Sequence, residues 1–201
     1  LYDPFIERGL DALNYACYQD ARFILVATPS GISLAPEGGA HQSSATPLLG
    51  MAKPGLSAFE PAYADELAVI LRWSFEHLQA EEKTLEPSDL LGDQRGGSVY
   101  LRLSTRRIDQ RERPLDTGLA DQIIEGGYWL HPPADGASLV IAYMGVMAPQ
   151  ALEAHKAMTQ HEPGAGLLAV TSADRLHRGW LAAQRERQVG ERETTAAIER
   201  L

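Results

Sequence analysis

Apolar and polar positions alternate along the chain at two recognisable spacings. In positions 4–20, Phe5, Leu10, Leu13 and Cys17 recur near helical spacing, which predicts a helix with Asp3 as N-cap and Pro4 in its first turn. Phe23-Ile24-Leu25-Val26-Ala27 is a continuous apolar run, the pattern of a strand buried on both faces. Positions 44–51 predict a short helix ended by Lys53-Pro54-Gly55, and 56–61 a strand running into a turn. The clearest helix spans 62–79, where Leu67, Ile70, Leu71, Phe75 and Leu78 form one face and Ala68 and Trp73 widen it. Positions 81–97 are polar and broken by Pro87, Gly92, Gly96 and Gly97, as in a surface loop. Val99, Leu101 and Leu103 then mark one side of a strand at 98–104.

Beyond this point an Arg-rich stretch without apolar periodicity reads as an interdomain linker over 107–119. It divides the chain into units at 1–106 and 120–201. The second unit holds a short helical stretch at 120–126, a strand at 138–143 and a helix at 149–158. A strand at 167–170 follows, then a helix at 173–188 capped by Thr171-Ser172, and a charged, solvated helical end at 191–201. Strands alternating with helices predict an α/β fold of two parallel-sheet units. Each unit looks incomplete, with about three strands in the first and two in the second against the usual five or six. Both termini are abrupt, as in a piece cut from a longer chain.

Composition narrows the function classes. With 201 residues and a net charge of -9, the chain lacks the basic balance that nucleic-acid binding requires. No apolar run approaches the length of a membrane span. A single cysteine, Cys17, excludes an internal disulfide and points to the cytoplasm. Its apolar neighbours Leu13 and Ala16 make it a core residue.

Candidate chemistry concentrates in the stretch after the first strand, where Glu37 and His41 are separated by Gly38-Gly39-Ala40. A histidine exchanges protons near neutral pH, a carboxylate close by orients its ring, and glycines let the backbone approach a ligand. Tyr2 and Phe5 lie one helical turn apart and suit either core packing or stacking on a flat ring. Arg102, Arg106 and Arg107, at or just past a strand end, suit either an anion or the start of a solvated linker, the linker being preferred for Arg107. Thr171 and Ser172 at a helix start also suit an anion, although N-capping suffices for them. The histidines show no metal-ligand spacing, so no metal site is assigned. No phosphate-loop or nucleophile-elbow motif is present.

These motifs carry a resemblance. Ala27-Thr28-Pro29-Ser30-Gly31 followed by Glu37-Gly38-Gly39-Ala40-His41-Gln42 resembles the loop of transketolase-like thiamine diphosphate enzymes. The runs from Asp11 to Phe23, from Gly97 to Arg106 and from Leu168 to Leu176 look closer still to the homodimeric pyruvate dehydrogenase decarboxylating component. The resemblance covers nearly the whole chain. It implies that 1–106 is the later part of a pyrimidine-binding domain and 120–201 the first part of a transketolase C-terminal domain.

It also implies roles for single residues. Tyr2 and Phe5 match the aromatic pair on the cofactor's aminopyrimidine ring. His41 matches the loop histidine facing the substrate, Glu37 an acidic residue orienting substrate polar groups, and Arg106 an arginine that binds substrate phosphate in transketolases. The implied cofactors are thiamine diphosphate and Mg2+, with the diphosphate and metal site outside this segment. The implied reaction is oxidative decarboxylation of pyruvate or another small 2-oxo acid, with acyl transfer to a lipoyl-bearing acyltransferase subunit, in a homodimer. Ketol transfer between sugar phosphates is the alternative enzyme reading. A non-catalytic remnant or interaction module is the alternative if the chain stands alone.

Overall fold

The computed structural model describes residues 1–41, 45–81, 91, 93–190 and 194–201. Most of the 81–97 loop, and Gln42 of the loop motif, lie outside the described residues. Three strands form the first sheet: β1 (Ile24–Ala27), β2 (Leu56–Phe59) and β3 (Ser98–Arg102), in the order β1-β3-β2 and all parallel. Because β3 is central, all five of its residues are buried, and the one-sided pattern expected there does not hold.

The segments preceding these strands are helical. The helix expected over 4–20 is split into a 3-10 turn, Asp3–Gly9, and helix α1 (Leu10–Tyr18), with Gly9 at the joint. A 3-10 turn, Thr46–Leu48, and α2 (Leu49–Ala52) precede β2, and α3 (Ala64–Leu78) links β2 to β3. Most of the expected apolar face of α3 packs in the core, with Leu67, Ile70, Leu71, Trp73 and Leu78 in or against the main cluster, but Phe75 and Ala68 lie outside it. Phe75 is 55% exposed, whereas Glu66, Ile70, Ser74 and His77 are buried. The polar members of the buried face are tolerated because they have partners. Glu66 accepts the backbone N–H groups of Ala62 (2.6 Å) and Tyr63 (3.0 Å), and the Ser74 hydroxyl donates to Ile70 O at 2.6 Å. The His77 ring stacks on Trp73 at 4.4 Å.

The second half contributes α4 (Thr117–Glu125), β4 (Gly127–His131), β5 (Val140–Met144), α5 (Ala148–Met158), β6 (Gly166–Val170), α6 (Ala173–Val189) and α7 (Ala197–Arg200). Its sheet runs β4-β6-β5, with β5 parallel to β6 but β4 antiparallel to it. Both β4 and its direction depart from the all-parallel expectation. Gly126, at φ +119°, ends α4, and the chain enters β4 at the next residue with no crossover.

One hydrophobic cluster joins the two sheets. Phe59, Val99, Leu101 and Ile70 pack with Ile123, Tyr128, Tyr143 and Leu167. Each fully buried aliphatic side chain of this kind contributes about 1.5–3 kcal/mol. The start of α6 also bonds to the free edge of β2. Ser172 Oγ donates to Ala58 O (2.5 Å), Asp174 Oδ2 accepts from Ala58 N (2.9 Å), and Glu60 N donates to Thr171 O (2.8 Å).

The segment expected as a solvated linker has no regular structure over 103–116, yet Arg113 is drawn inward. Its guanidinium donates to Asp65 (2.6 and 3.1 Å) and to the Tyr128 hydroxyl (2.6 Å). The chain end, expected to be solvated, docks instead. Trp129 Nε1 donates to Leu201 O at 2.7 Å, Arg187 pairs with Glu199 at 2.7 Å, and Ala196 is buried. Cys17 is half-buried and packs against the rim of a smaller cluster formed by Ile6, Leu13, Leu49 and Tyr100, so it is not the fully buried core residue expected. Among the described residues no helix is long and apolar enough to cross a membrane.

Candidate functional site

Past the end of β1 the chain turns through two 3-10 segments, Gly31–Glu37 and Gly39–His41. Gly38 joins them at φ +94°, a left-handed conformation that side chains disfavour, and its carbonyl accepts the His41 N–H at 3.0 Å. The turn brings Glu37 and His41 together, with His41 Nδ1 3.8 Å from Glu37 Oε2. Tyr2 reaches the same place from the start of the chain. Leu1 pairs with the end of β1 through both backbone groups, its N donating to Val26 O (2.7 Å) and its O accepting from Thr28 N (2.9 Å).

The Tyr2 hydroxyl lies 2.8 Å from His41 Nδ1 and donates to Glu37 Oε2 at 3.3 Å. Its ring meets Phe5 edge-on at 5.0 Å and the His41 ring at 5.9 Å. Phe5 remains 44% exposed, with the Arg8 guanidinium 4.5 Å from its ring centre. All four residues singled out in the sequence thus meet at the C-terminal end of β1, the edge where open α/β sheets place their ligands.

Desolvation, followed by the Glu37 carboxylate, raises the Tyr2 phenol above its usual range, so the hydroxyl stays protonated. With its proton on Glu37, Tyr2 accepts from His41 Nδ1–H and leaves Nε2 as a free base. With its proton toward Nδ1, Nε2 carries the hydrogen and donates. The arrangement can therefore pass a proton in either direction at Nε2.

Directly behind Tyr2, Asp3 points inward. It does not cap the first turn as expected. It is fully buried, accepting from the Thr46 hydroxyl (3.0 Å), the Tyr100 hydroxyl (3.1 Å) and Arg102 (3.4 Å to each oxygen). Arg102 also pairs with Glu60. This corrects the reading of Arg102 as an anion contact, since its guanidinium is 7% exposed and shared by two carboxylates. Burial, then the Asp3 charge, raises the Tyr100 phenol far above its usual range. Burial also raises Glu60, outweighing the lowering effect of Arg102. Gly145 closes over this cluster, and a Cβ there would lie 2.7 Å from Glu60 Cγ. No single stretch of sequence signals the cluster; its only trace is a charge at the end of each of two buried strands.

The other candidates separate cleanly. With its oxygen turned toward Arg106, the Gln150 side-chain amide accepts from both guanidinium nitrogens at 2.7 and 2.8 Å. Ser172 is an N-cap, accepting from Arg175 N at 3.0 Å, and the Thr171 hydroxyl donates to Ile123 O at 2.6 Å. Among the described residues no three His, Cys, Asp or Glu side chains converge as metal ligands.

A transketolase from Leishmania mexicana superposes on 87% of this chain with a TM-score of 0.68 and 19% identity, the match covering 23% of its own length. The chain has the transketolase fold. A split-gene transketolase, described as an inactive β4 tetramer, carries the same fold over 91% of this chain and 52% of its own, with a TM-score of 0.61 and 18% identity. In sequence, the pyruvate dehydrogenase E1 component of Mycolicibacterium smegmatis is 26% identical over 185 residues. That match takes in 90% of this chain, which spans about a fifth (19%) of that relative's length. No family model matches the chain. The likeness to transketolase-like thiamine diphosphate enzymes read from the motifs is borne out in sequence and in fold.

Proposed function

We propose that this chain forms one wall of the active site of a thiamine diphosphate-dependent 2-oxo acid dehydrogenase acting on pyruvate or a close relative. The observation that carries the reading is the meeting of Tyr2, Phe5, Glu37 and His41 at the end of β1. Similarity to a pyruvate dehydrogenase E1 component is the support for the dehydrogenase reading. On this reading residues 1–106 are the later part of a pyrimidine-binding domain, 107–119 a linker, and 120–201 the first part of a C-terminal domain.

The residues present fit the cofactor's ring. Phe5 keeps nearly half its surface open beside the edge of Tyr2, which suits stacking on the aminopyrimidine. When bound, thiamine diphosphate supplies the electron sink for breaking a bond next to a carbonyl. This chain supplies the surroundings. His41 Nε2 delivers or removes a proton on the substrate side, and Tyr2 holds the imidazole from behind. Glu37, which accepts from the Tyr2 hydroxyl, orients substrate polar groups that can donate to its oxygens. The diphosphate and Mg2+ are held by chain outside this segment, the site is shared in a homodimer, and the acyl group passes to a lipoyl-bearing partner in the cytoplasm.

Transketolase activity is the second reading, favoured by the solved structures that share the fold and by the resemblance of Arg106, which follows β3 by four residues, to an arginine that binds sugar phosphate. Thermal shift with thiamine diphosphate and Mg2+ tests the common part of both. A longer polypeptide extending upstream of Leu1 is stabilised and this chain alone is not. Tight binding by this chain alone refutes the shared-site reading. Assays of the longer polypeptide with pyruvate and with ketose phosphates separate the two reactions, and His41→Ala lowers whichever turnover is found.

A further inference from the structure

The first sheet has a second recess, at the opposite end from Tyr2 and His41. Because its strands are parallel, the Gly55 turn before β2 and the Gly96-Gly97 turn before β3 lie at the N-terminal edge, away from the loop that follows β1. Between these turns and the flank of α6 is a cavity of about 700 Å³, within the range of small-molecule sites. Four cations line it: Lys53, Arg95, Arg178 and Arg185. No carboxylate lines it among the described residues, although the chain as a whole carries a net charge of -9.

Lys53 Nζ donates to Asn14 Oδ1, which leaves two of its three ammonium hydrogens, and the three arginines also keep bonding capacity. Arg178 Nη2 is held by Ser57 and Asp174, each at 2.9 Å, but its Nε is buried without a hydrogen-bond partner. Arg95 and Arg185 have no side-chain partner among the described residues, and both are exposed. His77 lines the cavity at 7% exposure, and its buried Nδ1 has no partner either. On α6, Arg178, Leu181, Ala182 and Arg185 share one face, so an apolar strip runs between two guanidinium groups. Met51 and Leu91 extend the apolar part.

We propose that this cavity binds a small molecule bearing two or more phosphates on an apolar or aromatic body, the chemistry of a nucleoside di- or triphosphate. The guanidinium groups of Arg95, Arg178 and Arg185 and the Lys53 ammonium take the phosphates. Met51, Leu91 and Leu181 cover the base. At Gly55, where an added Cβ would meet nothing within 4 Å, the backbone is bare for close approach. The inference does not rest on the thiamine diphosphate reading, which concerns the other end of the sheet.

Isothermal titration calorimetry of the 201-residue chain with ADP, inorganic pyrophosphate and adenosine tests it. ADP binds, pyrophosphate binds more weakly, and adenosine gives no heat. Replacing both exposed arginines, Arg95→Ala with Arg185→Ala, leaves the melting temperature unchanged and weakens ADP by roughly tenfold or more. Phe5→Ala leaves ADP binding as it was. Absence of ADP binding, equal binding of ADP and adenosine, or an unchanged affinity in the double variant overturns the proposal. Loss of ADP binding in Phe5→Ala also overturns it, by placing the nucleotide at the other end of the sheet.

Discussion

Tyr2 and Asp3 are neighbours in sequence and serve opposite kinds of cluster. Tyr2 joins Glu37 and His41, whose side chains are 56% and 38% exposed. Asp3 joins Arg102 and Glu60 in the interior. Both are small groups of ionisable residues at the C-terminal edge of one sheet. The difference lies in what each leaves unsatisfied. The inner cluster binds nearly every donor and acceptor it owns, so it holds the first turn against β3 and leaves nothing for a ligand. The outer cluster leaves His41 Nε2 and the Phe5 ring open. Exposure and leftover bonding capacity, more than residue type, mark the site.

The strongest way to break that contrast is to remove the shared guanidinium. Arg102→Met leaves Asp3 and Glu60 buried without their cation, and breaking a buried pair costs about 3–5 kcal/mol. Urea denaturation reads this as a lower midpoint at unchanged slope. A loss below about 1 kcal/mol would show that the cluster is not the clamp described.

Glu60 gives the next effect, through pH. Its folded carboxyl is raised, by burial first, so the unfolded chain loses this proton at a lower pH than the folded chain does. Stability therefore falls as pH rises from the ordinary value of 4.5 through the raised folded value. Glu60→Gln removes that decline. The stability difference, wild type minus variant, should slope downward with rising pH; an upward slope would mean that Arg102 outweighs burial.

Much of this fold is legible in the sequence, and the exceptions have physical causes. The runs 23–27 and 167–170 announce β1 and β6 because strands covered on both faces need no alternation. β4 hides because Gly127-Tyr128-Trp129-Leu130-His131 opens on a glycine directly behind the Gly126 helix cap, with no loop to mark its start. That Glu66 and His77 lie inward could not be read, since Glu66 is received by the Ala62 and Tyr63 N–H groups and by the Tyr128 hydroxyl 62 positions away, and His77 by the Trp73 ring. The same applies to Arg102, which finds Asp3 across 99 positions and Glu60 across 42. Glu37 and His41 were visible because both sit in one Gly-rich loop, and Tyr2 and Phe5 because of the resemblance. Their convergence required the fold.

Gly38 tests the loop alone. A Cβ there meets no atom within 4 Å, so Gly38→Ala acts only through the positive φ. About 1 kcal/mol of strain follows, together with a displaced His41. A substitution without effect on stability or on the Tyr2–His41 contact would show that the turn does not depend on glycine.

The smallest stability effect belongs to Tyr2→Phe, and it separates the two clusters most sharply. The hydroxyl is exposed enough that its loss costs below about 0.5 kcal/mol, and the Phe ring keeps the edge contact with Phe5. What changes is the imidazole. In the wild type the phenol bonds Nδ1 at 2.8 Å and ties the ring to Glu37. Without it, the two ring nitrogens are set by solvent and by Glu37 3.8 Å away. Long-range proton–nitrogen NMR of His41 reads this directly as a shift at Nδ1 and a changed tautomer ratio. Asp3, one residue along, supplies the control, because Asp3→Asn lowers the unfolding midpoint while leaving the His41 nitrogen signals in place. If Tyr2→Phe unfolds the chain, or Asp3→Asn moves the His41 signals as much as Tyr2→Phe does, then the two clusters are one network and the outer residues owe their geometry to the buried charges.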